Sequence, residues 1–89
     1  MVSSFDDWPA WAEWELDCSN PHLAKRMLDR SFNETDLREM FEQATGYRPD
    51  VAPDRVVIET SRDGKPWEII VEPDEGAEIL IVVTAYAVG

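Results

Sequence analysis

The chain has 89 residues, a formal net charge of -11 and a hydrophobic fraction of 44%, which together describe one small globular domain with room for a single core. That acidity argues against non-specific binding to nucleic acid, which depends on neutralising phosphates with Lys and Arg, and the apolar content argues against disorder. A lone cysteine, Cys18, excludes an internal disulfide.

The charge is unevenly spread. Residues 1–24 and 66–89 carry acids and no Lys or Arg, whereas every basic residue falls between Lys25 and Lys65. Residues 1–13 read as a loosely ordered leader, broken by Ser3-Ser4, Asp6-Asp7 and Pro9. Residues 14–89 read as the domain. Trp8, Trp11 and Trp14 recur at helical spacing, but Trp14, Leu16 and Cys18 alternate as in a strand, and a short edge strand is expected over Trp14–Asp17.

Asn20 suits an N-cap and Pro21 the first helical position, which opens a helix through Arg30. Leu23, Ala24, Met27 and Leu28 are expected to form its core face. His22, Arg26 and Arg30, four residues apart, form a cationic stripe on the other face. A second helix starts at a capping box, Asn33-Glu34-Thr35-Asp36, buries Leu37, Met40, Phe41 and Ala44, and is expected to end at Gly46. A Pro-containing loop over Tyr47–Asp54 follows. Then the period changes to two: strands over Arg55–Thr60, Trp67–Glu72 and Ala77–Tyr86 are separated by an Asp63-Gly64 turn and by Pro73–Gly76. The expected fold is α+β, with two N-terminal helices packed on an antiparallel meander of three to four strands.

Few motifs carry chemistry. One His and one Cys complete no zinc tetrad, and the acids follow no calcium-loop spacing, so no metal and no cofactor are expected. Cys18 reads as a buried structural thiol. The stripe is more telling. Metal-free RNA cleavage needs a base for the 2′-hydroxyl, cations for the phosphorane and an acid for the leaving oxygen. His22 can titrate near neutrality and Arg26 and Arg30 can fork to phosphate. Thr84 and Tyr86 share one side of the last strand by alternation, where a hydroxyl could orient a phosphate.

These residues also carry a likeness. His22-x3-Arg26-x3-Arg30-Ser31-Phe32, Gly64-Lys65-Pro66-Trp67, Val71-Glu72-Pro73-Asp74 and Val82-Val83-Thr84-Ala85-Tyr86 together resemble an uncharacterised family of small bacterial domains, over roughly residues 14–88. The layout is similar to the RelE and BrnT toxins of the barnase-like, metal-independent ribonucleases. The resemblance implies catalytic roles for His22, Arg26, Arg30 and Tyr86, and substrate contacts from Arg55, Trp67 and Thr84. It also implies RNA as substrate and a cognate antitoxin as partner. Ser31 stands where that family usually has Gly, and RelE-like toxins are basic where this chain is acidic. The competing expectation is a non-catalytic interaction module that binds a basic protein partner. No secretory leader or spanning segment is visible, and the expected location is cytoplasmic, with no membrane partner.

Overall fold

The computed structural model describes residues 8–88. Its elements, in chain order, are a 3-10 turn (Ala10–Glu13), β1 (Glu15–Asp17), α1 (Pro21–Arg30), α2 (Glu34–Glu42), β2 (Gly46–Pro49), β3 (Val56–Arg62), β4 (Lys65–Asp74) and β5 (Ile79–Ala87). The α+β class holds, but the expected meander is corrected to a five-stranded mixed sheet of order β1-β5-β4-β3-β2. β1 pairs parallel to β5, and the other three pairings are antiparallel. The leader expected over 1–13 lies partly outside the described residues, and from Trp8 onward it packs: Trp8, Trp11 and Ala12 lie against the core.

Local rules account for the helix boundaries. The Asn20 side chain accepts the His22 backbone N–H at 2.8 Å, and Pro21 occupies the first turn. Ser31 closes α1 in the left-handed region at φ 56°, and the Phe32 N–H returns to the Met27 carbonyl at 3.1 Å. Both halves of the Asn33/Asp36 capping box are present at 2.9 Å. α2 stops at Glu42 with Gln43 as its cap, not at Gly46. Gly46 instead begins β2, an edge strand that tolerates Pro49 because its outer N–H positions need no partner. The Asp63-Gly64 turn, with φ of 53° and 77°, is the mirror-image type that suits a tight hairpin.

Both helices cover one face of the sheet, α1 over β5 and α2 against β3. That face supplies Ile58, Trp67, Ile69, Val71, Leu80, Val82 and Ala85 to a core completed by Leu23, Phe32, Leu37, Met40 and Phe41. Fully burying such side chains contributes about 1.5–3 kcal/mol each before the entropy cost of ordering the chain. Thr60 is buried among them and donates its hydroxyl to the Met40 carbonyl.

α1 is turned about its axis relative to expectation. Leu23 is buried and Met27 is half-buried, but Ala24 is exposed and Leu28 is 84% exposed. Arg26 and Arg30 therefore flank the buried line rather than oppose it, since residues three and seven further on lie close to Leu23 around the helix.

One irregularity decides which residues share a face. In the β4–β5 ladder Val71 pairs with Val82 but Ile70 pairs with Thr84, so Val83 is a bulge residue without a partner. An extra residue flips everything beyond it to the other side of the sheet. Ala85 consequently enters the core, and Thr84 and Tyr86 turn to the face away from the helices.

Candidate functional site: two surfaces on opposite sides of the sheet

The residues expected to converge do not do so. His22 is exposed in the first turn of α1. Arg26 lies 3.6 Å from Asp29. Arg30 donates from a guanidinium nitrogen to the Ala85 carbonyl at 3.2 Å. That carbonyl is on the free edge of β5: Val88 donates to Pro66 across the β4 side, so odd residues here point their backbone outward, beyond the reach of short β1. Arg30 thus covers an unpaired edge, a device that discourages foreign strands. Trp67 is 8% exposed, packs edge-on against Phe32 at 5.6 Å and carries the Arg62 guanidinium over its ring at 5.4 Å. It belongs to the hydrophobic core. Thr84 and Tyr86 sit across the sheet from the stripe.

On that second face, two registered rows cross four strands. Arg48, Val57, Ile70 and Thr84 form one, and Gly46, Glu59, Glu68 and Tyr86 form the next. Glu59 and Glu68 are direct cross-strand neighbours, a like-charge pair that destabilises a sheet when left alone. Arg48 resolves it by reaching Glu59 at 2.8 Å and Glu68 at 3.0 Å. Gly46 leaves the space this needs, since a Cβ there would stand 3.0 Å from the Glu59 carboxylate. The Tyr86 hydroxyl donates to Glu68 at 2.9 Å. Burial, then the bond to Glu68, pushes that hydroxyl above the usual tyrosine range. The two carboxylates hold the Arg48 guanidinium still more firmly protonated.

A third feature lies at the end of the sheet. Trp8, Trp11 and Tyr47 pack as a ring cluster, with Tyr47 4.7 Å from Trp8 and 5.5 Å from Trp11. Beside Trp11 and Tyr47 opens a groove of about 590 Å³, whose wall includes Val56 and Pro73 and whose rim carries Asp54, Glu72, Asp74 and Glu75. Arg55, expected to contact substrate, is the one base on this rim and lies 3.4 Å from Glu72. Sequence reading missed Arg48, Glu59, Glu68 and this groove. The signal for the first three was the placement of Glu59 and Glu68 inside otherwise apolar-rich strands, but their pairing needs a register that spacing alone does not supply.

Cys18 is half-buried, and burial followed by Glu34 nearby raises its thiol above the usual range, which suits an inert side chain. No group of three or more His, Cys, Asp or Glu among the described residues is placed to hold a metal ion. No helix among them is long and apolar enough to cross a membrane. Fold and site thus define the class no further than a small α+β domain with an acidic surface. Comparisons with protein-family models, curated proteins and solved structures found no match.

Proposed function

We propose that this chain is a non-catalytic interaction module that binds a basic segment of a partner protein. The observation that carries this reading is the commitment of its arginines, the residues best suited to grip a phosphate. All six arginines have partners: Arg26, Arg38, Arg48, Arg55 and Arg62 lie against carboxylates and Arg30 against a backbone carbonyl. A phosphate would have to displace a carboxylate at five of these six. The uncompensated charge that a partner meets is negative, which attracts a basic ligand and speeds its approach.

The test is a binding series on the full chain with blocked tetra-arginine and tetra-lysine peptides and with short single-stranded RNA, at low and at physiological salt. Saturable, salt-sensitive binding to the basic peptides and none to RNA is the expected result. Binding and cleavage of RNA with indifference to the peptides overturns it.

One observation favours a second reading, a toxin-like ribonuclease in keeping with the RelE and BrnT resemblance. Tyr86 donates to Glu68, which also receives the Arg48 guanidinium, and a base, a cation and a proton donor are what metal-free RNA cleavage requires. In that reading Glu59 or Glu68 takes the 2′-hydroxyl proton, Arg48 faces the phosphorane and Tyr86 protonates the leaving oxygen. It ranks second because Arg48 is shared between two carboxylates, so the cluster is negative before any phosphate arrives. Growth arrest and RNA loss on expression of the wild type, absent in Glu68→Gln and unaffected by His22→Ala, would establish it.

A further inference from the structure

The groove beside Trp11 and Tyr47 has the chemistry of a seat for one particular side chain. It joins an aromatic and apolar wall to a rim of four carboxylates opposed by a single base, Arg55. A planar guanidinium satisfies both halves at once: it stacks on an aromatic ring through its face and forks to carboxylate oxygens through its edge. An ammonium can do the second but stacks less well and holds its water more tightly.

We propose that this groove binds an arginine side chain from a basic segment of a partner protein. The proposal rests on the interaction-module reading and gives that module its site. Tyr47 is 41% exposed and its position is fixed by Trp8 and Trp11, so the platform is formed before a ligand arrives. Asp54 and Glu75 make no ion pair among the described residues, whereas Glu72 is already shared with Arg55 and one Asp74 oxygen accepts the Ala77 N–H at 3.2 Å. The first two are therefore the carboxylates open to an incoming cation. The volume, about 590 Å³, falls in the ordinary range for ligand sites. Charge selects the occupant. A second copy of this chain carries the same net charge of -11 and is repelled, as is a nucleic acid.

The experiment follows the tryptophan indole N–H signals of the full chain by two-dimensional NMR during titration. The probes are blocked tetra-arginine, tetra-lysine, tetraglycine and hexauridylate. Tetra-arginine is expected to shift the Trp11 indole saturably, with an affinity at least roughly threefold above that of tetra-lysine. Tetraglycine and hexauridylate are expected to leave it in place. Asp54→Asn combined with Glu75→Gln should weaken the arginine peptide by roughly tenfold, as expected for two exposed ion pairs. Asn is chosen because residue 54 sits at φ 67°, which Asn tolerates, and an unchanged melting curve confirms that the variant folds. Arginine binding that leaves Trp11 unmoved, or that survives the double substitution, overturns the groove while the module reading stands. Failure of both cationic peptides to bind at low salt overturns both. A hexauridylate shift at Trp11 overturns the occupant.

Discussion

Ile69 and Ile70 are consecutive residues of β4 that point to opposite faces of the sheet, and they live in different surroundings. Ile69 is fully buried between Ile58 and Ala85 under the helices. Ile70 is 6% exposed between Val57 and Thr84 and lies outside the main core cluster. The helix face is sealed by other apolar elements, which cannot follow a lost side chain far. The second face has no helix over it, and long charged side chains stand around Ile70, Arg48 in its own row and Glu68 in the adjoining one. Such side chains cover apolar surface with their stems and can settle into a gap. Similar burial on the two faces is therefore worth different amounts.

Truncation makes this measurable and is the largest effect expected. Ile69→Ala should cost about 3–4 kcal/mol, with a cavity that the helices cannot fill. Ile70→Ala should cost about 2 kcal/mol, because its cover can relax. Urea unfolding of both variants at one pH tests the difference. Equal losses would show that the second face is as rigid as the core.

Deleting Val83 removes the bulge without moving any residue to the other face. Thr84 then follows Val82 directly, so strict alternation keeps Thr84 and Tyr86 on the second face and Ala85 in the core, and the ladder runs unbroken from Val82–Val71 to Thr84–Ile70. The expected cost is no more than about 1 kcal/mol, with the Tyr86–Glu68 hydrogen bond retained, read from the Tyr86 ring signals by NMR. A loss of that hydrogen bond, or a much larger fall in stability, would mean that the bulge itself is needed to seat the end of β5.

The bulge also marks where sequence reading stops. Helix starts were legible because caps act over three or four residues: Asn20, Pro21 and the Asn33/Asp36 box each do what their chemistry dictates. The hairpin at Asp63-Gly64 was legible for the same reason. Val82-Val83-Thr84 contains no glycine or proline to announce an extra residue, so alternation placed Thr84 and Tyr86 on one side of the strand correctly and left open which side it was. β2 was hidden by its own composition, since Gly46 and Pro49 both read as breakers and only an edge position makes them acceptable. The rotation of α1 was hidden too. Leu23, Ala24, Met27 and Leu28 made a plausible stripe, but the helix docks with Arg30 against the free edge of β5 and Leu28 in solvent. The groove joins residues from the 3-10 turn, β2, β3, β4 and β5, and no local pattern in the chain connects them.

The smallest effect isolates the polar lattice of the second face. Glu68→Gln keeps the shape of the side chain and removes the charge that faces Arg48 and Tyr86. The loss in stability attached to the Tyr86 bond should be about 0.5 kcal/mol at neutral pH, because solvent reaches the pair and a neutral acceptor remains. Its pH dependence is the sharper readout. Tyr86 titrates above the ordinary tyrosine value when folded, through burial and then Glu68. The folded chain therefore holds that proton more tightly than the unfolded one, and the associated stability is fully present below about pH 10 and drains away as pH rises through the folded value. In Glu68→Gln the hydroxyl no longer faces a carboxylate, so its titration moves back toward normal and the alkaline loss of stability shrinks. Ultraviolet titration of tyrosinate, with Tyr47→Phe as background to leave one tyrosine, measures the shift directly. An alkaline limb identical in the wild type and the variant would show that burial alone sets the Tyr86 titration, and that the lattice over β2, β3, β4 and β5 is no tighter than an ordinary solvated surface.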